Sequence, residues 1–440
     1  MSKAGTWPAR RRGKSGDAPP RTGLLRERGF RLYWSAKSVS LVGDEINILA
    51  IPLAAVLLLD AGASEMGWLT AAALLPSLLL SIPGGAWADR QANRRRAMIV
   101  ADIGRFAAVA SIPLAYAVGT LTLAHLFVTE LVVGALTVLF RVCNHHVYAS
   151  VVARERYVDG NALLSGSRSV AAVAGPSTGG VLVQALSAPF ALLMDAITYL
   201  VSAACLGRIR GAREAPPAPP GEGGLADGLR WVGAHRTPAL LLAGVAALSL
   251  CQTLTATLFV LYGTTELGLT PAAIGAVFAV FGLGGLAGAY AAPRVVRRIG
   301  IGPAIVTGFL GLSLPLLLVP LADGPAPLVI ATLAAAHLGA GCGVAVLDIS
   351  TNSYLIAVIP PTLRSRVMGV VQTANFGVRP IGAALAGTLG TALGLRPTLW
   401  IGTAGAVLSV LWVAASELPR VREVPENAEQ RIDEHEEAGV

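Results

Sequence analysis

Runs of about 20 apolar residues, parted by short polar stretches, fill most of the chain; a helix needs about that many to cross a bilayer's hydrocarbon core. The runs fall at 35–59, 66–85, 97–118, 121–144, 162–185, 188–207, 238–262, 270–291, 302–321, 326–350, 367–392 and 397–416. The pattern predicts twelve membrane-spanning helices. The polar stretches between them are short except at 208–237. There Ala215-Pro216-Pro217-Ala218-Pro219-Pro220 precedes Leu225 to Trp231, a segment able to form a short surface helix. A long Pro-rich link between two sets of six spans reads as the joint between two half-domains. The expected organisation is a disordered basic tail (1–31), a first six-helix bundle (32–207), a linker (208–237), a second six-helix bundle (238–416) and an acidic tail (417–440).

Composition agrees with a membrane protein. Apolar residues make up 54% of 440 positions and charged residues 14%, with a mean hydropathy of +0.64. A soluble domain carries about 25% charge. The net charge of +8 does not point to nucleic acid, because basic residues flank apolar runs instead of forming one face and aromatics are few. Their distribution instead sets orientation. Of the 34 Lys/Arg, Arg396 alone falls in an outside loop, and Lys37, Arg105, Arg141, Arg168 and Arg379 fall within or at the edge of spans. All the others lie in tails and loops on one side, which marks that side and both termini as cytoplasmic. The four cysteines, Cys143, Cys205, Cys251 and Cys342, sit in apolar runs without metal-like spacing, so neither a disulfide framework nor a zinc site is expected. Gly13-Lys14-Ser15 has Pro8 where a phosphate-binding loop has Gly, and no strand precedes it. His145-His146 points two ways around a helix end with no further ligand. No nucleophile, base and oxyanion set is recognisable, so an enzyme is not expected. With no nucleotide site, the energy source is an ion gradient and no cofactor is expected.

One loop is more specific. Gly85-Ala86-Trp87-Ala88-Asp89-Arg90-Gln91-Ala92-Asn93-Arg94-Arg95-Arg96 lies between the second and third runs. It resembles the signature between helices two and three of the major facilitator superfamily, with Ala92 and Asn93 in place of the usual Gly and first Arg. Asp89, Arg90, Arg94 and Arg95 remain, and the resemblance implies a latch between halves that favours the outward-facing state. A weak echo, Gly288-Ala289-Tyr290-Ala291-Ala292 followed by Arg294, Arg297 and Arg298, stands at nearly the same offset as Pro380 from Pro176. Two echoes at one offset indicate a duplicated six-span unit whose second copy has Ala292 where the first has Asp89.

Ala174-Gly175-Pro176-Ser177-Thr178-Gly179-Gly180 in the fifth span permits a kink and close backbone approach. It is similar to the fifth-helix signature of drug:proton antiporters, which implies an exporter. Asn161 to Ser165, Met194 to Tyr199 and Leu347 to Asn352 resemble the branch that includes macrolide efflux pumps and the enterobactin exporter. Ionisable residues at depth are functional candidates. Asp44 lies near the midplane of span one, Glu130 and Arg141 on span four, Asp195 on span six, Arg168 and Arg379 on spans five and eleven, and Asp348 in the inner half of span ten. In the superfamily fold, spans one, four, seven and ten line the central cavity. The resemblance therefore implies that Asp44, Glu130, Arg141 and Asp348 face one water-filled chamber and couple protons to substrate. The alternative is that these charges pair among themselves to fix packing, for example Asp44 or Glu130 with Arg141. Asp102 and Arg105 read as part of the cytoplasmic charge network.

The sequence thus leads to an all-α protein with two pseudo-symmetric six-helix bundles, multi-pass in a bacterial plasma membrane and working as a monomer. The implied activity is export of an amphipathic small molecule (an antibiotic, toxin or siderophore) by proton antiport and alternating access. The expected partners are that substrate, protons and lipid, and the cavity is expected to be lined by Leu, Ala, Phe259, Tyr262 and Phe281 with few polar groups. A proton symporter importing a metabolite, or a non-transporting receptor on the same fold, are the other readings. If the second-half echo lacks a working acid, the latch is asymmetric. Asp89→Asn is then expected to slow transport with topology unchanged, and Ala292→Asp to restore nothing, as read by efflux rate and by two-sided labelling of loop cysteines.

Overall fold

The computed structural model describes residues 23–89, 91, 93–209 and 225–423. The helices are α1 (Arg28–Leu59), α2 (Ala63–Asp89), α3 (Arg94–Ala117), α4 (Leu123–Val151), α5 (Tyr157–Leu186) and α6 (Ala188–Gly207), then α7 (Leu225–Ala234) in the linker. The second half holds α8 (Arg236–Thr265), α9 (Pro271–Ile299), α10 (Ile301–Ser313) continued by α11 (Leu318–Leu321), and α12 (Ala326–Val358). It ends with α13 (Arg364–Gly377), α14 (Arg379–Leu393), α15 (Leu395–Leu408) and α16 (Val410–Ala414). Among the described residues 11 helical stretches are long and apolar enough to cross a membrane. The remaining expected span, the eleventh at 367–392, corresponds to α13 and α14, which are parted at Val378. Pro380, in the first turn of α14, has no N–H for the carbonyl four residues back and crowds it, so the helix breaks there.

Several helices run past the apolar segments at the face that carries residues 23 and 423, the terminal face. α4 continues to Val151, α5 starts at Tyr157 and α12 reaches Val358. Hydropathy detects only the part in hydrocarbon, whereas these ends bury one side against each other. Leu24, Phe30 and Tyr33 pack with Phe140, Cys143, Val147 and Leu206. This corrects the expected limit of the basic tail: from Leu24 onward the chain is folded onto the first bundle, and α1 begins at Arg28. The acidic tail likewise starts later than residue 417. Leu418 is buried, and the N–H groups of Ile301 and Gly302 donate to the carbonyls of Arg422 and Val421 at 3.2 and 2.9 Å. Residues 1–22 and 424–440 of the two expected tails lie outside the described residues.

Packing repeats between the halves. In the first, α1 lies against α5 and α6, and α4 against α2 and α3. In the second, α8 lies against α14 and α15, and α12 against α9 and α10. Two six-helix bundles result, and they meet along α5 with α9 and α2 with α14. Lipid offers helices no hydrophobic reason to associate, so close backbone packing at small residues does the holding. A Cβ added at Gly67 would stand 2.6 Å from the Gly387 Cα, and one at Gly180 would stand 3.1 Å from the Ala272 Cα. Both seams are tight in the half of the span away from the terminal face.

The short helix expected around Leu225 to Trp231 forms as α7 and docks on α13. Asp227 pairs with Arg366 at 3.2 Å, and Val232 is buried.

A larger side chain in either seam should wedge the bundles apart at the far face, with an overpacking cost of about 1–3 kcal/mol to the closed arrangement. Gly67→Leu and Gly180→Leu are expected to lengthen the distance between spin labels at positions 64 and 391, measured by electron-electron resonance. An unchanged distance would mean that these glycines do not set the closure.

Candidate functional site

α1, α3 and α6 converge on a buried cluster of charge. The Tyr199 hydroxyl donates to Asp44 Oδ1 at 2.8 Å, and an Arg105 nitrogen lies 3.9 Å from the same oxygen. The other arm of Arg105 bonds Asp102, one turn earlier on α3. Its guanidinium is stacked between Phe140 and Tyr199, 4.6 and 4.4 Å from the ring centroids. Arg105 is 1% exposed and Asp102 0%, whereas the Asp44 side chain is 41% exposed. Asp102 and Arg105 are therefore core residues and no part of a cytoplasmic charge network. Their three-residue spacing puts both on the side of α3 that faces α6 and α1. Burying an ion pair is costly unless geometry and further bonds compensate, and here two carboxylates and two rings surround one cation.

Deeper in the same bundle, Asn47 donates to Asp195 Oδ2 at 2.8 Å. Gly43 leaves room for this contact, since a Cβ there would stand 3.0 Å from the Thr198 Cβ. Asp195 is fully buried and Glu130 nearly so. One oxygen of each, Asp195 Oδ1 and Glu130 Oε1, has no hydrogen-bond partner among the described residues. Arg141 bonds neither Asp44 nor Glu130. It donates to Ser77 at 3.1 Å and lies 5.8 Å from the Phe376 ring across the gap between bundles.

A cavity of about 450 Å³ extends from mid-span towards the terminal face. Asp348, Arg379, Arg168, Gln252, Asn375 and Phe376 are among its lining residues. Asn375 accepts from Ser249 at 2.6 Å and from Arg379 at 3.3 Å, and the Arg379 guanidinium lies 4.6 Å from the Phe376 ring centroid. Of the four residues expected in one chamber, Asp348 lines this cavity, Arg141 lies near Phe376 at its edge, Asp44 sits in the Arg105 cluster and Glu130 is buried inside the first bundle. The expected aromatic lining is also corrected. Phe259 and Phe281 pack around His337, with centroids 4.8 and 6.4 Å away, and the Tyr262 hydroxyl accepts from Arg396 at 3.1 Å near the far face. Hydropathy could not tell which side of a span these rings take. Sequence reading missed Ser249, Gln252 and Asn375; polar residues at helical spacing within apolar runs are the signal that marks them.

The loop after α2 has a mechanical role in what is described of it. Asn93 caps α3, its side chain accepting from the Arg96 N–H at 3.0 Å, which accounts for Asn at that position. Arg95 donates to the carbonyls of Leu206, at 3.4 Å, and Ile209, at the end of α6. Arg94 is buried. Arg90 lies outside the described residues, and of Gly85 and Asp89 only the helical backbone is described. The Gly-Pro stretch occupies a three-helix junction. Gly175 and Gly179 face Glu45 and Ile46 of α1, while Pro176 and Gly180 face the start of α9. All four are buried.

Comparison with known proteins follows the same lines. Residues 33–383 match the family profile described as Major Facilitator Superfamily. The chain is 28% identical over 421 residues to the multidrug efflux pump Tap of Mycobacterium tuberculosis, covering 90% of this chain and 95% of that one. It is 26% identical over 403 residues to the protein of that name from Mycolicibacterium fortuitum, with 87% and 93% covered. A bacterial homologue of the iron transporter ferroportin, in an inward-facing state, superposes with a TM-score of 0.73 at 16% identity, over 90% of this chain and 100% of that one. A bacterial homologue of the human lysosomal transporter Spinster, inward-facing and unoccupied, gives 0.72 at 13% identity, over 92% and 98%. These two structures share the fold.

Removing the cation of the Asp44 cluster leaves Asp102 buried and unpaired. Arg105→Met is expected to lose about 3–5 kcal/mol of stability, seen as a lower unfolding temperature in detergent. Asp102→Asn in the same chain should recover part of that loss.

Proposed function

The chain belongs to the major facilitator superfamily and is a membrane transporter and not an enzyme; on that premise we propose that it exports a small organic molecule in exchange for protons. The basic residues of the loop after α2 and of the other loops at the terminal face support a cytoplasmic position for that face. The cavity is then reached from the cytoplasm, and the glycine seams close the outside. The two bundles move as halves joined by the 208–237 linker, rocking about the site between them. Asp89 and Arg90 act as the latch that holds the opposite, outward-facing arrangement.

The observation that carries the reading is Asp44, held by the Tyr199 hydroxyl at 2.8 Å and facing an arginine that also serves Asp102. A proton arriving on Asp44 cancels its attraction for Arg105, and the guanidinium settles on Asp102. Loss of the proton reverses the step. Because α1 bears on Gly175 and Gly179 of α5, and α5 bears through Pro176 and Gly180 on α9, a shift of α1 at Asp44 is passed directly to a seam between bundles. Substrate binds in the separate cavity lined by Asp348. The names of the Tap relatives support an outward direction of transport.

A susceptibility and efflux screen in a pump-deficient host tests this. Wild type is expected to raise tolerance to at least one compound and to accumulate it in everted vesicles when a pH gradient is imposed. Asp44→Asn should lower that proton-driven accumulation about tenfold or more, a loss of at least 1.4 kcal/mol of coupling, while exchange of substrate across the membrane continues. Normal proton-driven accumulation by Asp44→Asn would remove this residue from the mechanism.

A further inference from the structure

The charges that line the cavity do not balance. Arg168 from α5 and Arg379 from α14 face it, and Asp348 is the one carboxylate among the lining residues. Arg379 bonds the neutral Asn375 and stacks on Phe376. Among the described residues neither arginine forms an ion pair within salt-bridge distance. A third guanidinium, Arg141, approaches the same Phe376 ring from the first bundle at 5.8 Å and bonds the neutral Ser77. Cations at membrane depth are expensive, and those that persist mark a substrate path or a partner. Guanidinium is the group whose planar donors fit a carboxylate in two parallel bonds. Beside these heads the cavity offers a flat ring, Phe376, and the apolar side chains of Val245, Leu248 and Leu347.

We infer that the substrate of this cavity is an organic anion: a carboxylate, held between Arg168 and Arg379, on a flat apolar body that lies against Phe376. The inference rests on the exporter reading and gives it a substrate class. At about 450 Å³ the cavity is within the usual range for drug-sized ligands, about 300–1,000 Å³. Asp348 repels such a ligand and offsets Arg379 when the cavity is empty. The charge has an energetic consequence. Moving one negative charge out of a cell across an inside-negative potential releases free energy. One-for-one exchange of an anion for an incoming proton therefore draws on the potential twice, whereas exchange of a monovalent cation is electrically silent.

The test uses aromatic carboxylates from 1-naphthoate to 1-pyrenebutyrate, each matched with its carboxamide and its amine counterpart. Binding is read from thermal stabilisation of the full-length protein in detergent, and transport from accumulation in everted vesicles. At least one carboxylate should stabilise the wild type more than its amide or amine. Arg168→Gln and Arg379→Gln should each weaken that binding about tenfold or more, and Asp348→Asn should strengthen it, a sign that a merely structural role would not give. In vesicles, a lumen-positive potential set with potassium and valinomycin should drive accumulation of that carboxylate without a pH gradient. The proposal is overturned if no carboxylate outbinds its amide, if the amines bind best, or if both arginine variants bind like wild type. Carboxylate binding without accumulation in vesicles would keep the substrate class and discard the exporter reading.

Discussion

Arg105 is a full positive charge with 1% exposure, and much of the first bundle is arranged to make that tolerable. Asp102 supplies the direct partner, Asp44 the more distant one, and Phe140 and Tyr199 the two ring faces. These groups come from α1, α3, α4 and α6, so satisfying one guanidinium fixes the relative rotation of four helices. The partners are unequal. Asp102 is sealed in, while Asp44 keeps an open side. The proposed coupling needs no large local movement, because the cation already has two places to rest.

The seams between bundles obey a different rule. Where lipid gives no hydrophobic push, contact is won by removing side chains, and Gly67, Gly387, Gly180 and Gly275 do so on the side away from the termini. Contacts of this kind are shallow and numerous, so they can be made and broken as a set. The charge cluster and the seams are joined through α5, whose Gly175 and Gly179 address one bundle while Pro176 and Gly180 address the other.

Apolar run length pointed to twelve spans, the broken one included, even though Gln372, Asn375 and Arg379 flank its joint at Val378. It was not enough to show depth. Asp102 and Arg105 stand close to the arginines that start α3, and by hydropathy they look like the edge of the membrane. Yet α1 and α4 run past the hydrocarbon at that face, so the edge is still interior to the bundle. Direction was also hidden. Phe259 is on a span that borders the cavity but turns to His337, as does Phe281 on α9, and the lining includes Ser249, Gln252 and Asn375, which carry no charge to draw notice. Asp348 was legible because a lone acid within an apolar run is costly to keep and stands out against its neighbours.

The break at Val378 gives the eleventh span two loyalties. α14 is clamped to α2 through Gly387, and α13 is tied to the linker helix through Arg366 and Asp227. Phe376 and Arg379 sit on either side of the joint, at the wall of the cavity. A ligand seated there would touch both segments. Its occupancy would be felt at once by the outer closure and by the linker between the halves, so that one small molecule works as the pin of a hinge.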